Sequence, residues 1–283
     1  MKSSTAPLIA FVGTTPNIGT TTAAYAAAYR IAEATGRSVG YLCLHLKSAK
    51  LHRFLGIDQP QSSLDKLRPE LRSESLTADK LMRASYRPAH LPGLHVLFGN
   101  MARDQAEFFT PEEANHLLDI AEQAFSIVIL DAGAYWDNAA TVCSLRRAST
   151  RVVVTTPALS HFGEDGQRWI GQVSPLFGVA SDQYEALIIH SPWRTGGFTM
   201  KDICKEMGTS LLGEQRLSPA LFSQLDNGRY EEWLKSDEEG KQMMRQPAQL
   251  FMKRYGLGLQ QGPRSVIQPW YRKLIAHRGG VGS

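Results

Sequence analysis

Cysteine is scarce in this chain of 283 residues, and the three cysteines present, Cys43, Cys143 and Cys204, do not form a close pair. An odd number of widely spaced cysteines argues against a disulfide framework and gives no zinc-ligand spacing. We therefore expect a cytoplasmic protein that depends on its hydrophobic core for stability. Cys43 is predicted to belong to that core, because it lies among leucines on a predicted strand.

Long hydrophobic runs are absent as well. No apolar stretch approaches the roughly 18 to 20 residues that a helix needs to span a bilayer. The N-terminus, MKSSTAPLIAFVG, contains one apolar run of strand length and no cleavage pattern, so it does not resemble a signal peptide. Any association with a membrane is therefore expected to be peripheral.

Acidic residues are missing from one part of the chain. From Gly240 to Ser283 there are eight Lys or Arg and no Asp or Glu. This leaves 23 of the 31 basic residues and all 27 acidic residues in the rest of the chain. The net charge of +4 thus combines a mildly acidic body with a basic tail, a division that affects the choice of partners.

The residues that are present alternate between strand and helix patterns. Short apolar runs predict buried strands at 8–12, 39–44, 94–99, 126–133, 151–156 and 185–191. Helices are predicted from Thr20 to a stop at Gly36, from Thr110-Pro111 to about Phe125, and near 163–174. Continuous apolar strands alternating with helices predict an α/β domain, with a mostly parallel sheet covered by helices on both faces.

The stretch FVGTTPNIGTTT joins the first strand to the first helix. A strand, the turn G-x-x-x-x-G-K-[ST] and a helix form the P-loop, in which backbone N–H groups bind phosphates and the lysine reaches the outer ones. Here the topology fits, with a strand at 8–12, a turn at 13–19 and a helix from Thr20, but Thr20 replaces the lysine. Alone, the motif fits a tight strand-to-helix turn with a threonine cap equally well.

Six segments in the right order make the sequence resemble the ParA/MinD superfamily of deviant P-loop ATPases, and within it the TadZ/CpaE branch of pilus-assembly proteins. These segments are GTTPNIGTTTAAYAAAYRIA, GRSVGYLCLHLKSAKLHRFLGID, SSLDKL, HLPGLHVLFGN, FSIVILDAG and ALIIHSPWRTGGFTMKDICKEMGTSLLGEQRLSPAL. The resemblance implies a single P-loop NTPase-type domain over residues 1–256. The basic segment 257–283 is then expected to be a flexible tail.

The departures from the family pattern are informative. Thr15 occupies the position of the signature lysine, which reaches the partner's nucleotide across a dimer, and Thr20 that of the ordinary loop lysine. Cys43 and His45 stand at the two aspartates of the family's second-strand pattern, and the position of His45 is the one implicated in Mg²⁺ and water organisation. His190 stands where an asparagine commonly contacts adenine.

The resemblance implies sites for ATP and Mg²⁺, although catalytic residues cannot be named. The residues expected to bind nucleotide are Gly13, Thr15, Asn17, Ile18, Gly19, Thr20, Thr21, Thr22 and His190. Thr21 and Asp131, the latter at the end of an apolar strand, are expected to hold Mg²⁺ if the ion binds. Each lost lysine removes roughly 1.5–3 kcal/mol of charge-assisted bonding to phosphate, so nucleotide binding should be weak or absent.

Two functions follow as expectations. The first is a TadZ/CpaE-like accessory protein that localises or scaffolds a Tad-type pilus or secretion assembly, as a homodimer with impaired ATP hydrolysis. The alternative is an active ParA/MinD-type ATPase switch, in which another cation replaces the lysines. Arg30, Lys47 and Lys50 are candidates for that role, although solvated side chains are the expectation for all three.

The tail sequence VIQPWYRKLIAHRGG interleaves aromatic and aliphatic residues with basic ones. Such a segment could anchor the protein to an anionic membrane surface, dock on a pilus motor or contact DNA nonspecifically, nucleic acid being the less favoured partner. A solvated, disordered tail is the simplest alternative.

Overall fold

The structure, a computed structural model, describes residues 5–193 and 197–259. Seven parallel strands form one sheet in the order β3-β2-β4-β1-β5-β6-β7. The strands are β1 (Leu8–Gly13), β2 (Val39–Cys43), β3 (Leu94–Leu97), β4 (Ile127–Asp131), β5 (Thr150–Thr155), β6 (Tyr184–His190) and β7 (Ser210–Arg216). The predicted α/β class is confirmed, and every strand pair within the described sheet is parallel.

Helices cover both faces of this sheet. They are α1 (Thr20–Thr35), α2 (Leu51–Phe54), α3 (Leu64–Arg72), α4 (Ala78–Ala84), α5 (Pro111–Ala124), α6 (Ala139–Arg147), α7 (Met200–Met207), α8 (Pro219–Asp226), α9 (Tyr230–Ser236), α10 (Glu238–Gln242) and α11 (Arg245–Arg254). A π-helix, Ser160–Val173, occupies the position where a helix near 163–174 was predicted.

Alternate residues of each central strand enter two separate hydrophobic cores. In β1, Ile9 and Phe11 pack on the side of α1 and α11, whereas Leu8 and Ala10 pack on the side of α5 and α6. Strands buried on both faces need apolar residues at every position, which explains why they read as unbroken apolar runs. Cys43 is buried in the first of these cores, as predicted.

Several helices begin or end with capping residues of the types that favour those positions. Gly36 ends α1 with a φ of 62°, in the left-handed region that favours glycine. Thr110 and Glu113 form a reciprocal capping box at the start of α5. Asn138 caps α6 by accepting a hydrogen bond from the Thr141 backbone.

Strand β1 lies at the centre of the sheet, between β4 and β5. The chain therefore leaves β1 at Gly13 into a crevice at the carboxyl end of the sheet, where ligands bind in open α/β sheets. Within the described ranges, no helix is long and apolar enough to cross a membrane. Most of the predicted tail, residues 260–283, lies outside the described residues, and the domain boundary at 256 stays a prediction.

Candidate functional site

The turn after β1 is fixed at its base by the neighbouring strands. The Gly13 N–H donates to the Gly133 carbonyl at 2.7 Å, and the Thr14 N–H donates to the Val154 carbonyl at 2.9 Å. A Cβ on Gly13 would lie 2.6 Å from Thr20 Oγ1, so only glycine lets the turn fold closely back on α1.

The end of this turn, residues 17–19, leaves its amides open. Asn17 and Gly19 have φ values of 63° and 101°, both in the left-handed region. Within the described residues, the N–H groups of Asn17, Ile18 and Gly19 donate no hydrogen bond to a protein group. No side chain caps the start of α1, since the Thr22 hydroxyl donates to the Gly19 carbonyl instead. A turn of unpaired amides at a helix N-terminus fits an anionic phosphate group.

Two adjoining cavities flank this turn and share four lining residues: Pro16, Asn17, Leu217 and Phe222. The smaller, of about 360 Å³, lies over the start of α1 and is lined by Thr20, Thr21 and Thr22; we name it the helix-side cavity. The larger, of about 660 Å³, lies towards the end of β6, and we name it the strand-side cavity. Cavities of this size accommodate small-molecule ligands.

The structure brings most of the predicted nucleotide-binding residues to these cavities. Asn17 lines both, Gly19 lines the helix-side cavity with the three threonines, and Ile18 lines the strand-side cavity. Gly13 lines neither, because it lies beneath the turn. These placements are compatible with nucleotide binding, which stays a prediction.

Thr15 does not line either cavity. Its hydroxyl donates to Asp165 Oδ2 on the π-helix, at 2.5 Å. The position that carries the signature lysine in the ParA/MinD pattern therefore carries a hydroxyl group bound to a carboxylate. The site gains a negative charge at the point where the family pattern places a positive one.

Asp131, the proposed Mg²⁺ partner of Thr21, is fully buried. Tyr41 Oη donates to its Oδ2 at 2.8 Å, and the Gly133 N–H donates to its Oδ1 at 3.2 Å. Thr21 lines the helix-side cavity and Asp131 does not, so the two residues do not share an open site. Within the described residues there is also no group of three or more His, Cys, Asp or Glu suited to a metal ion.

The buried Asp131 affects the groups around it. Burial raises the pKa of the Tyr41 hydroxyl well above its ordinary value, and the nearby carboxylate raises it further. The pKa of the Cys43 thiol is raised for the same two reasons, so the thiol stays protonated. Both groups are therefore protonated at neutral pH.

His45 lines the helix-side cavity and packs against Gly133, where a Cβ would lie 2.5 Å from the imidazole Cδ2. Burial lowers the pKa of His45; Asp131 opposes this shift, and the charge of Lys50 adds to it. His45 Nδ1 accepts a hydrogen bond from the Ser48 N–H at 3.3 Å. The ring is therefore neutral at neutral pH, with its proton on Nε2.

His190 does not reach the strand-side cavity; its Nε2 lies 3.0 Å from Glu214 Oε2 on β7. Ile189, Ser191 and Trp193 line the cavity instead. Alternate residues of a strand share a face, so the pairing of 189 with 191 was readable from the sequence. The aromatic Trp193, which packs near Phe222, was missed by sequence reasoning.

The two aromatic residues after β4, Tyr135 and Trp136, lie in different surroundings. Trp136 is buried, stacks on Trp169 and donates its Nε1–H to the Gly13 carbonyl at 3.0 Å, so its role is in packing. Tyr135 lines the helix-side cavity with its ring edge-on to His45.

Of the three candidate cations, only Lys50 lines either of the two cavities beside the turn. Lys47 forms a salt bridge with Asp137 at 3.0 Å. Arg30 lies far along α1 and is buried, so the expectation of a solvated side chain is wrong for this residue.

No protein-family model matches the sequence, and no curated protein matches it either. Solved structures do match. The ParA family ATPase from Chlorobium tepidum superposes with a TM-score of 0.74 at 17% identity, covering 86% of this chain and 98% of that one. The septum site-determining protein MinD from Pyrococcus horikoshii, complexed with Mg-ADP, gives 0.67 at 17% identity, covering 89% and 98%.

A third match is the plasmid partition protein of Borrelia burgdorferi bound to AMPPNP, with a TM-score of 0.67 at 12% identity over 88% of this chain and 99% of that one. Likeness at these identities establishes the fold and not the activity. The chain has the single-domain α/β fold of ParA- and MinD-type ATPases.

Proposed function

We propose that this protein is a ParA/MinD-like nucleotide-binding protein that binds ATP weakly, hydrolyses it poorly and acts as a localisation or scaffolding factor. One observation carries the proposal. The turn after β1 presents open amides to a cavity, but it contains no lysine and has the carboxylate of Asp165 bound to Thr15.

Binding is supported by the shape and chemistry of the site. The two cavities adjoin across the turn, so one ligand could place phosphates over α1 and a base near Trp193. Similar folds have been solved with Mg-ADP and with AMPPNP. Losing two charge-assisted contacts of roughly 1.5–3 kcal/mol each would weaken triphosphate binding by about two to four powers of ten.

The absence of the lysines should lower the rate of ATP hydrolysis more than the affinity for ATP. Phosphoryl transfer depends on positioning and on neutralising charge that spreads over the transferring group. The turn lacks both lysines, and a neutral imidazole replaces the acid at position 45. Retention of the fold with loss of this chemistry is typical of a protein that works by binding partners.

The cellular role within this proposal is that of a TadZ/CpaE-like accessory protein. It would form a homodimer in the cytoplasm, at the inner face of the membrane, and bind components of a Tad-type pilus or secretion assembly. The support is the order of the six resembling segments, together with the basic residues of 257–283.

Calorimetric titration with ATP, with and without Mg²⁺, tests the nucleotide part of this proposal. We expect a dissociation constant in the micromolar-to-millimolar range and no measurable phosphate release. Tight binding with turnover that Thr21→Ala abolishes would contradict it and favour the active ATPase switch.

Light scattering after size exclusion tests the scaffold part. A dimer that forms equally with and without ATP and Mg²⁺ supports a nucleotide-independent scaffold. A dimer that appears only with ATP supports the ParA/MinD-type switch instead.

A further inference from the structure

The helix-side cavity contains one basic side chain. Among the described residues that line the two cavities, Lys50 is the only lysine or arginine, and Asp226 is the only acid. A cavity with open amides and a single cation is suited to a ligand that carries negative charge.

The backbone of Lys50 is well fixed. Its carbonyl accepts the N–H groups of Arg53 at 2.9 Å and Phe54 at 3.3 Å, in the first turn of α2. The preceding segment is bound to Asn100, whose Nδ2 donates to the Leu46 carbonyl at 2.9 Å. The root of the side chain is therefore anchored, while the side chain itself is exposed and free to adjust to a ligand.

The charge of Lys50 is also uncompensated. Within residues 5–193 and 197–259 Lys50 forms no salt bridge, whereas Lys47, three residues earlier, is paired with Asp137. The two charged residues of the cavity, Lys50 and Asp226, do not form an ion pair either. Lys50 and His45 line the same cavity, and the charge of Lys50 lowers the pKa of His45.

We propose that Lys50 supplies part of the positive charge lost with the turn lysines and binds the outer phosphates of a nucleoside triphosphate. This inference rests on the proposed nucleotide binding and assigns its selectivity to one residue. The cation reaches the phosphates from the segment after β2, rather than from the turn after β1.

Such an arrangement predicts selectivity by phosphate number. The turn amides can bind the phosphates nearest α1 in any nucleotide, because they need no side chain. A cation on the opposite side of the cavity contributes most where additional negative charge extends away from the turn. Lys50 should therefore favour ATP over ADP, and it should have no effect on adenosine.

The test is a calorimetric comparison of the wild-type chain, Lys50→Met, Lys50→Arg and the matched control Lys47→Met. Each is titrated with ATP, ADP and adenosine in the presence of Mg²⁺. We expect Lys50→Met to weaken ATP binding by about 10- to 100-fold, the range of one lost charge-assisted contact. The loss should be smaller for ADP and absent for adenosine, Lys50→Arg should restore ATP binding, and Lys47→Met should stay within about twofold of wild type.

The outcomes separate this inference from the proposal on which it rests. If the wild-type chain binds none of the three compounds, nucleotide binding itself is wrong and the role of Lys50 is rejected with it. If the wild-type chain binds ATP and Lys50→Met binds it equally well, only the role of Lys50 is rejected. An equal loss in Lys47→Met also rejects it, because the effect would then be that of general charge. Thermal unfolding of each variant checks that the fold is intact.

Discussion

The hydroxyl group of Thr15 and the carboxylate of Asp165 lie 2.5 Å apart, although 150 positions separate the two residues in the chain. This contact fixes the turn after β1 to the π-helix and gives the turn a negative neighbour. The Asp165 carboxylate should repel a polyphosphate bound at the turn. It therefore opposes the attraction that the open amides of the turn exert on the same phosphates.

Asp165→Asn should therefore strengthen ATP binding. The substitution removes one negative charge and preserves an oxygen that can accept from Thr15 Oγ1. We expect the dissociation constant for ATP to fall by about three- to tenfold at low salt, because a charge interaction near a protein surface has that magnitude. Glu164→Gln makes the same charge change at an exposed neighbouring position and should have little effect. Equal constants for wild type and Asp165→Asn would contradict the repulsion.

The extent to which the site could be predicted differs between residues for a physical reason. Gly13 and Gly19 could be read from the order of strand, turn and helix, because a tight turn between a strand and a helix needs glycine where the backbone folds back. Asp165 could not, because its role depends on where a distant helix lies over the turn. His190 was expected to contact the nucleotide, but its neighbours Ile189 and Ser191 line the cavity instead. The alternation of side chains along β6 could have indicated this.

At the scale of elements, the predicted strands agree with the observed ones within about two residues at either end. Strands buried on both faces carry an unambiguous apolar signal. Strand β7 lies at the edge of the sheet, most of its residues are exposed or half-buried, and its sequence SLLGEQR has no such run. It was missed because an edge strand owes its pairing to β6 rather than to its own hydrophobicity.

Arg30 joins α1 to the C-terminal helices. Its Nη2 donates to the carbonyls of Leu234 and Gly240, both at 2.6 Å, and its Nε donates to the Met243 carbonyl at 3.3 Å. These carbonyls lie at the ends of short helices, where carbonyl groups often lack partners within the helix, although that of Gly240 also accepts the Met243 N–H at 3.1 Å. Arg30 is thus a structural residue that satisfies three of them at once.

Arg30→Met should consequently destabilise the fold. The change leaves buried carbonyl groups without donors, and we expect the free energy of unfolding to fall by about 3 kcal/mol in urea denaturation. Arg37, an exposed residue just beyond α1, provides the control, and Arg37→Met should change stability by less than about 0.5 kcal/mol. A similar small effect at both positions would show that solvent can replace the guanidinium group.

At the scale of the whole molecule, the chain combines an acidic body with a basic C-terminal segment. The described fold is well packed near its end, because Leu257 is buried and the Tyr255 hydroxyl lies 2.5 Å from Thr150 Oγ1. The last described core residue, Leu257, therefore precedes four of the eight basic residues in the C-terminal segment. Stability and surface attachment should accordingly depend on different parts of the chain.

Deleting residues 263–283 tests this separation. The thermal unfolding midpoint should stay within about 1 °C of the full chain, because the deletion removes no residue of the described core. Binding to vesicles that contain anionic lipid should be lost, since each basic residue near such a surface contributes about 1 kcal/mol and the deletion removes four of them: Arg264, Arg272, Lys273 and Arg278. Vesicles of neutral lipid are the control and should bind neither protein. If the truncated protein sediments with anionic vesicles as the full chain does, or shows an unchanged fluorescence pattern in cells, attachment resides in the folded body.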